Sequence, residues 1–371
     1  MPDLGIRMQL FMGPTVPVPA PFAVADALVS TEVTDNDRQR DGFQMTFRVG
    51  KDTPLDYSLL VSGLFDPPAR VAILVIVNGQ PETLIDGVIT NQQLVPTNRP
   101  GETKLHLTGE DVSLMMDLEE KSTTHPNQSD SAIALKLISA YTSPYGITPV
   151  VTPTLDIPTV PQRVPTQQGT DLAFVRSLAQ KNGFVFYVGA IAPGVSTGYW
   201  GPDNRVGVPQ PALTMNMGPL TNVDTPLTFQ YNALGPVAPQ VSYVDPVKKL
   251  RITLPVPTSL HPPLSRQPAV ALRKPVPRDV ANKDAAQATL QALASTTQSS
   301  DAVTVSGEVD TIRYGGVLQS GGLVGVRGVG QTFDGLYYVQ RVTHQIKRGG
   351  YKQSFSLTRE GRGALTPIVR P

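Results

Sequence analysis

The stretch Thr170-Asp-Leu-Ala-Phe-Val-Arg-Ser-Leu-Ala-Gln-Lys-Asn-Gly-Phe-Val-Phe-Tyr-Val188 carries the clearest structural signal in the sequence. Thr170 or Asp171 is suited to cap a helix, because a short polar side chain there accepts a hydrogen bond from a free backbone N–H. The apolar residues that follow recur at helical spacing, at Leu172, Val175, Leu178 and Ala179. Asn182-Gly183 then provides a left-handed C-cap, and an apolar strand begins at once. The stretch therefore predicts a helix–turn–strand unit.

The composition of the chain indicates many short strands. Its 371 residues include 36 prolines and 32 glycines, and only 16% of the residues are charged. Proline and glycine at this density interrupt helices and mark turns, whereas 40% hydrophobic residues suffice for a sizeable core. The expected fold class is mainly β with α+β insertions.

Charge and cysteine content exclude several kinds of function. The 31 basic residues are balanced by 30 acidic residues, without the basic cluster that binds nucleic acid. The sequence has no cysteine, which excludes disulfides, thiolate metal sites and a cysteine nucleophile. The longest aliphatic run, Val71–Val77, is much shorter than the roughly 20 residues of a membrane-spanning helix. Neither nucleic-acid binding nor membrane insertion is expected.

Two β-rich segments of the chain resemble each other. Near the N-terminus, Ile85-Asp-Gly-Val-Ile-Thr-Asn91 precedes a polar turn and then Leu105-His-Leu-Thr-Gly-Glu110. Near the C-terminus, Phe333-Asp-Gly-Leu-Tyr-Tyr-Val339 precedes a turn and then Phe355-Ser-Leu-Thr-Arg-Glu360. One explanation is that two unrelated hairpins share common Asp-Gly turn chemistry. The other is a tandem pair of small β-barrels with α/β material between them.

We predict three regions from these patterns. Residues 1–125 form a first β-barrel, and residues 236–371 form a second β-barrel with an inserted helix at 281–297. Residues 126–235 form an α/β connector region that contains the helix–turn–strand unit at 170–188. Each chain thus has two related small barrels, separated by an α/β region.

The sequence offers no residue pattern that is typical of catalysis or of metal binding. The four histidines lack metal-ligand spacing and stand apart, at His106, His125, His261 and His344. Two acidic pairs are candidates for paired carboxylates, Asp35 with Asp37, in a turn, and Glu119-Glu120. Such pairs are more typical of solvated surfaces than of glycoside cleavage. Phosphate-binding glycine loops and the Gly-x-Ser-x-Gly elbow of hydrolases are absent as well. We therefore expect no catalytic residue, no metal site and no cofactor.

The 170–188 stretch resembles the hallmark of the phage late-control-D or baseplate-hub family, which includes the hub portion of type VI secretion spike proteins. That hallmark combines an Asp, an aromatic residue and a Leu on a helix with a Gly followed by an aromatic–x–aromatic strand. These positions are occupied by Asp171, Phe174, Leu178, Gly183, Phe184 and Phe186. Two further segments match in the right order, 101–111 in the first β-rich region and 333–359 in the last, which includes Asp334 and Gly335.

The resemblance implies a structural protein and not an enzyme. A homotrimer with two similar barrels per chain would present a pseudo-six-fold ring to the hexameric tail tube protein. The opposite face would keep three-fold symmetry for a trimeric spike protein. Because the sequence ends at Pro371, soon after the last barrel strand, we expect the spike to be a separate protein. Baseplate wedge or tape-measure proteins are further expected partners.

The resemblance also implies a place in the cell. We expect the protein in the tail baseplate of a contractile phage or in an extracellular injection particle, assembled in the bacterial cytoplasm. Two other functions stay open at this point. One is a tail-associated peptidoglycan hydrolase. The other is a carbohydrate- or receptor-binding β-protein in which Tyr199-Trp200 would stack on sugar rings.

Overall fold

The structure is a computed structural model that describes residues 5–50, 57–99, 102–154, 156–158, 160, 164–240, 242–244, 251–253, 259–276 and 285–365. It is mainly β, which confirms that part of the predicted fold class. The largest sheet contains 13 strands that come from both ends of the chain.

The strands of the N-terminal part alternate apolar and polar side chains. In the strand Gly42–Arg48, for example, Phe43, Met45 and Phe47 are buried whereas Gln44 and Arg48 are exposed. The elements of this part are β1 (Arg7–Gly13), β2 (Val18–Pro19), α1 (Phe22–Ala27), β3 (Leu28–Asn36), β4 (Gly42–Arg48), α2 (Ser58–Val61), β5 (Arg70–Val77), β6 (Gln80–Val95), β7 (Lys104–Asp111), a 3₁₀ helix (Val112–Met116) and β8 (Glu120–Thr124).

The middle of the chain supplies two capped helices and four strands. Ser129 caps the first helix by accepting a hydrogen bond from the backbone N–H of Ala132. The elements are α3 (Asp130–Ser139), β9 (Ile147–Val151), β10 (Thr166–Thr170), α4 (Asp171–Asn182), β11 (Val185–Ala192) and β12 (Val195–Gly201). The predicted helix–turn–strand unit is therefore present as α4 and β11.

The C-terminal part is again rich in strands. The inserted helix that we predicted at 281–297 is α5, and residues 281–284 of that prediction lie outside the described residues. The elements are β13 (Gln210–Thr214), a 3₁₀ helix (Gly218–Leu220), β14 (Thr228–Tyr231), β15 (Ser242–Val244), β16 (Arg251–Thr253), β17 (Ser265–Pro268), α5 (Ala285–Gln298), β18 (Val303–Asp310), α6 (Thr311–Tyr314), β19 (Leu323–Arg327), β20 (Gly335–Lys347), β21 (Gly350–Arg359) and β22 (Gly361–Ala364).

Two sets of six strands share one order of pairing. The first β-unit, made of β1 and β3–β7, has the order β1–β5–β6–β7–β4–β3. The second β-unit, made of β13, β14 and β18–β21, has the order β13–β19–β20–β21–β18–β14. The long strands β6 and β20 each carry a bulge, at Ile89/Asn91 and at Val339/Arg341. The outermost strands differ in direction, because β1 pairs antiparallel with β5 whereas β13 pairs parallel with β19. The similarity of the two hairpins in the sequence thus extends to five antiparallel strands, which favours a tandem repeat over shared turn chemistry.

The two β-units join edge to edge. Strand β3 pairs antiparallel with the second half of β20, from Asn36 opposite Arg341 to Ser30 opposite Lys347. One continuous sheet results, and the described strand pairs do not close either unit into a ring. Two separate barrels are therefore not confirmed. The reason is that the free edge of β3 pairs with β20 of the second β-unit instead of with another strand of the first β-unit.

The buried apolar side chains form separate cores. One core lies in the first β-unit around Phe47, and another lies in the second β-unit around Tyr337. A further core lies in the middle unit, which we define as α3, α4, β9, β11 and β12, around Trp200.

The domain boundaries at 125/126 and 235/236 stay predictions. Of the helices in the described part of the chain, none combines the length and apolar character needed to span a membrane.

Candidate functional site

The hallmark helix α4 begins at a buried carboxylate. Asp171 is 1% exposed, and its Oδ2 accepts hydrogen bonds from Lys121 Nζ at 2.7 Å and from the Tyr141 hydroxyl at 2.8 Å. Its Oδ1 accepts a third, from Gln167 Nε2, at 2.7 Å. Burial by itself raises the pKa of Asp171, but these hydrogen bonds outweigh it and hold the pKa below its ordinary value. Asp171 thus ties β8, β10 and the end of α3 to the start of α4.

Removal of this carboxylate should weaken the middle unit. We expect Asp171→Ala to lower the free energy of unfolding by about 2 kcal/mol, because three donors, of which Gln167 is fully buried, lose their acceptor. The exposed acid Glu119 offers a matched control, and Glu119→Ala should change stability by less than about 0.5 kcal/mol. Urea denaturation of both variants checks this result, and equal losses in the two variants would contradict it.

The other hallmark residues of α4 have packing roles. Leu178 is buried in the middle core, whereas Phe174 lies at its border and stacks on the ring of His125, with a centroid distance of 5.7 Å. Gly183 ends the helix with φ +71°, a left-handed conformation that favours glycine. A Cβ at Gly183 would lie 3.0 Å from Cα of Ala294, so the glycine also permits the close approach of α5.

The aromatic hallmark residues of β11 pack around the single tryptophan. Phe186 is buried, and Phe184 contacts Trp200 edge to face at a centroid distance of 5.0 Å. Trp200 is fully buried, and its Nε1 donates a hydrogen bond to the carbonyl of Val175 at 3.2 Å. Trp200 therefore cannot stack on sugar rings, which contradicts the alternative of a Tyr199-Trp200 carbohydrate platform. Alternation along β12 turns Trp200 into the middle core instead.

The Asp334-Gly335 step makes room for a buried arginine in the second β-unit. Arg359 is fully buried and lies over the ring of Tyr337, with its guanidinium carbon 4.3 Å from the centroid. It donates hydrogen bonds to the carbonyls of Asp334 and Thr332, at 3.0 and 3.2 Å. Gly335 has φ +131°, and a Cβ there would lie 2.8 Å from Nη1 of Arg359. The glycine is needed for this close approach.

The first β-unit also has a buried arginine at its Asp-Gly step, on a different strand and bound to the Asp86 side chain. Arg70 is 3% exposed and forms a two-point ion pair with Asp86, with both N···O distances 2.8 Å. Arg70 Nη2 also donates to the carbonyl of Tyr145 at 2.6 Å, and Asp86 Oδ2 accepts from the backbone N–H of Gly194 at 2.9 Å. Both contacts reach the middle unit. The sequence indicated the Asp-Gly steps but not the arginines that they anchor.

The structure does not bring all hallmark residues together. Asp171, Phe174, Leu178, Gly183, Phe184 and Phe186 lie in the middle unit, whereas Asp334 and Gly335 lie in the second β-unit. In both places they cap, pack or make space. They form structural anchors.

A cluster of charged side chains that the sequence did not indicate lies where the three units meet. The guanidinium of Arg205 has no exposed surface and makes two hydrogen bonds to Asp301, at 2.9 and 2.7 Å. Oδ2 of Asp203 lies 3.3 Å from Nη2 of Arg205, 3.3 Å from Nη2 of Arg38 and 3.2 Å from Nε2 of His261. We call this cluster the ionic junction; it consists of Asp37, Arg38, Asp203, Arg205, His261 and Asp301.

The ionic junction borders a cavity of about 170 Å³. Arg38, Arg176, Asp203 and His261 line the cavity, together with the hallmark residues Gly183, Phe184 and Phe186. Burial and the nearby charge of Arg205 lower the pKa of His261 to about 4, so this histidine is neutral at pH 7.

Ser300, His261 and Asp203 follow one another in the order of a hydrolase triad. The Ser300 hydroxyl lies 3.1 Å from Nδ1 of His261. Ser300 is not part of the cavity lining, however, and Asp203 already contacts Arg38 and Arg205. A substrate in the cavity would therefore contact His261 and Asp203 but not the serine.

The acidic pairs noted in the sequence do not form a reaction centre. Asp35 accepts hydrogen bonds from the backbone N–H and the hydroxyl of Ser320, at 2.7 and 2.5 Å, while the Asp37 side chain is fully buried. Glu119 and Glu120 are exposed. Within the described ranges no group of three or more His, Asp or Glu residues is arranged to hold a metal ion.

Comparisons with known sequences give one partial match. Residues 43–194, less than half of the chain, match the family model of the Alg8 N-terminal domain. This range begins inside the first β-unit at β4 and ends between β11 and β12, so it separates strands that pair with each other. A comparison with curated proteins finds no match.

Comparisons with solved structures cover almost the whole chain. A tail protein of Neisseria meningitidis MC58 is 14% identical, with a TM-score of 0.61, over 97% of this chain and 98% of that one. The 43 kDa tail protein of prophage MuSo2 from Shewanella oneidensis is 12% identical, with a TM-score of 0.63, over 96% and 99%. The chain has the fold of phage tail proteins.

The same tail-protein fold occurs in a secretion system. The E. coli protein c3393, a component of the type VI secretion system that is similar in structure to the T4 bacteriophage tail proteins gp27 and gp5, is 13% identical with a TM-score of 0.55. The match covers 99% of this chain and 81% of that one. Assignment to the late-control-D family in particular stays a prediction.

Proposed function

We propose that this protein is the structural hub of a contractile phage tail or of a related injection particle. As a homotrimer it joins the hexameric tail tube protein to a separate trimeric spike protein. Wedge or tape-measure proteins contact it in the baseplate. In this role the protein acts through its surfaces, and we propose that it is not an enzyme.

The repeated order of pairing in the two β-units is the observation that supports this proposal most. Three copies of a chain with one such unit offer three equivalent surfaces, but three copies of a chain with two units offer six similar ones. A hexameric tube needs six similar surfaces, while a trimeric spike needs three. The duplication within a tail-protein fold therefore supports a role as the adaptor between them.

Exposed apolar side chains on proline-rich segments give further support. Phe22 is 84% exposed, Val206 81% and Val208 94%, and Val270 is exposed as well. The cores of protein interfaces are more apolar than the surrounding surface and are depleted in charge. A chain with only 16% charged residues suits a subunit that neighbours cover on several sides.

The proposal predicts a trimer. The purified protein should show three times the chain mass of 39.8 kDa in light scattering or native mass spectrometry, and a complex with the spike should contain three copies of this chain. Image averages of this species should have three-fold symmetry around a central channel. A stable monomer in the presence of both tube and spike proteins would contradict the proposal. Clearing of peptidoglycan by the purified protein in a zymogram would contradict its non-enzymatic part.

A further inference from the structure

The joint between the two β-units has an unused counterpart on the same chain. Within the chain, β3 of the first unit pairs with the second half of β20 of the second unit. In the shared order of pairing, β14 occupies the position of β3, and β6 occupies the position of β20. A joint between β14 and β6 would therefore repeat the one that is present.

The edge of β6 that this joint requires is open. Gln80–Val88 pair with β5 on one side, and Gly87–Val95 pair with β7 on the other. Beyond the bulge, from Thr90 to Val95, the β5 side of the strand has no strand partner among the described residues. Thr90, Asn91 and Gln93 are exposed. The corresponding part of β20, also beyond its bulge, is the part that pairs with β3.

Strand β14 is open in the same way. It pairs with β18 on one side, and within the described residues its other edge has no strand partner. Thr228, Gln230 and Tyr231 are exposed. Because β14 ends the continuous sheet and six strands separate it from β6, the two open edges do not meet within one chain.

Neither open edge carries a feature that prevents pairing. Isolated edge strands usually avoid association through charged residues or proline. The segments 91–95 and 228–231 contain only Asn, Gln, Leu, Val, Thr, Phe and Tyr. By contrast, β2 at the opposite end of the sheet contains Pro19. The two unprotected edges thus have the sequences of strands that pair.

We infer that β14 of one copy pairs antiparallel with residues 90–95 of β6 in the next copy. This contact is head to tail, because each copy uses β14 toward one neighbour and β6 toward the other. Such contacts form a closed ring when the rotation between neighbouring copies adds up to a full turn. The inference rests on the proposed trimer, for which it specifies the contact surface. Each of the three contacts would repeat the β3–β20 joint, which gives six similar joints around the ring.

The intrachain joint also predicts the register. Counted from the two bulges, Asn91 corresponds to Arg341. Directly opposite residues on successive neighbouring strands lead from Asn91 to Glu32 in the first unit. In the second unit they lead from Arg341 to Thr228. Since Glu32 lies opposite Gln345 in the joint, Thr228 should lie opposite Val95. Two residues further along the antiparallel pair, Gln230 should lie opposite Gln93.

A disulfide across this contact tests the inference, because the chain has no cysteine of its own. Directly opposite residues of antiparallel strands are about 4.5–5.5 Å apart at Cα, within disulfide reach. Both side chains are exposed, so Gln93→Cys/Gln230→Cys should fold normally. After mild oxidation, with the spike protein added if the chain alone is monomeric, a covalent trimer should appear in non-reducing gels. The control Gln44→Cys/Gln230→Cys, with its first cysteine two strands away on β4, should stay uncrosslinked.

The outcomes separate the contact from the proposed function. A trimeric mass without a crosslink would overturn the β14–β6 contact and leave the hub proposal standing. A crosslinked ladder that extends beyond three chains would support the contact but overturn the closed trimer. A monomer with tube and spike proteins present, and no crosslink, would overturn both. Equal crosslinking of the control pair would show nonspecific collision and overturn the contact.

Discussion

Replacement of Arg205 by Met should lower the free energy of unfolding by about 3–5 kcal/mol at pH 7. The guanidinium of Arg205 has no exposed surface and makes two hydrogen bonds to Asp301, whose pKa it holds below the ordinary value against the effect of burial. Met is similar in length but uncharged. The substitution therefore leaves the carboxylate of Asp301 without the partner of its two hydrogen bonds and removes one of the cations that contact Asp203.

A matched control distinguishes the effect of burial on stability from the effect of the ion pair itself. Arg313 pairs with Asp224 at 2.7 Å, but its side chain is 57% exposed. Exposed ion pairs contribute little, so Arg313→Met should change stability by less than about 1 kcal/mol. Both variants are compared by urea denaturation at pH 7. A similar loss in the two variants would show that the ionic junction contributes no more than a surface pair.

The loss in Arg205→Met should also depend on pH. Without Arg205, burial raises the pKa of Asp301, so the folded state of the variant gains a proton as the pH falls. Protonation of Asp301 removes the uncompensated charge. The difference in the free energy of unfolding between the variant and the original protein should therefore be smaller at pH 5. A difference that stays constant from pH 8 to pH 5 would indicate lost packing instead of an unpaired charge.

The helix–turn–strand unit could be predicted from the sequence because every signal for it is local. The cap at Thr170, the apolar spacing along α4 and the left-handed Gly183 lie within one short stretch, and each acts through neighbours in the chain. The similarity of the two hairpins was visible for the same reason. The order of the strands in each β-unit, and therefore the tandem repeat, became apparent only when the structure showed how β3, β4, β14 and β18 pair with these hairpins.

The features that the sequence did not indicate join distant segments. Arg205 and Asp301 are far apart in the chain and lie in loops without periodicity, so no pattern connects them. The joint between β3 and β20 likewise links the two ends of the chain and turns two expected barrels into one continuous sheet. The sequence left open whether Trp200 is exposed as a binding platform, and the alternation of β12 buries it.

These differences bear on where function lies. The hallmark residues cap helices, pack cores and admit buried arginines, so they preserve the shape of the units. The surfaces that could bind partners are instead the open edges of β6 and β14 and the exposed apolar loops. Motifs that identify a fold therefore need not mark its contacts with other proteins.

Replacement of Asp37 by Asn should stabilise the protein above pH 7 and leave its stability nearly unchanged at pH 4. The Asp37 side chain is fully buried, and neither of its carboxylate oxygens has a hydrogen bond among the described residues. Burial raises its pKa to about 7, although Nε of Arg38 lies 3.7 Å away. Asp203 and Asp35 raise the pKa further, and Tyr338 of β20 faces the group from the second β-unit.

The direction of the pH effect follows from the two pKa values. The pKa of Asp37 is about 7 in the folded state, against 3.8 as the ordinary value, so the folded state holds this proton more tightly. The stabilisation of the folded state by the neutral Asp37 side chain is fully present below pH 3.8. It is lost as the pH rises through about 7. The loss amounts to at most about 4 kcal/mol, at 1.36 kcal/mol per pKa unit. Asn cannot ionise, so the variant should not show this loss.

Urea denaturation at pH 5 and pH 8 measures the effect. The original protein should lose stability between these two values, and Asp37→Asn should lose less by a few kcal/mol. The exposed Asp66 provides the control, since Asp66→Asn should follow the original protein at both pH values. Because Asp37 lies beside the β3–β20 joint, with its backbone N–H donating to the carbonyl of Gln340, ionisation acts on the seam between the two β-units. An equal pH dependence in the original protein and in Asp37→Asn would show that this carboxyl group is already ionised at pH 5.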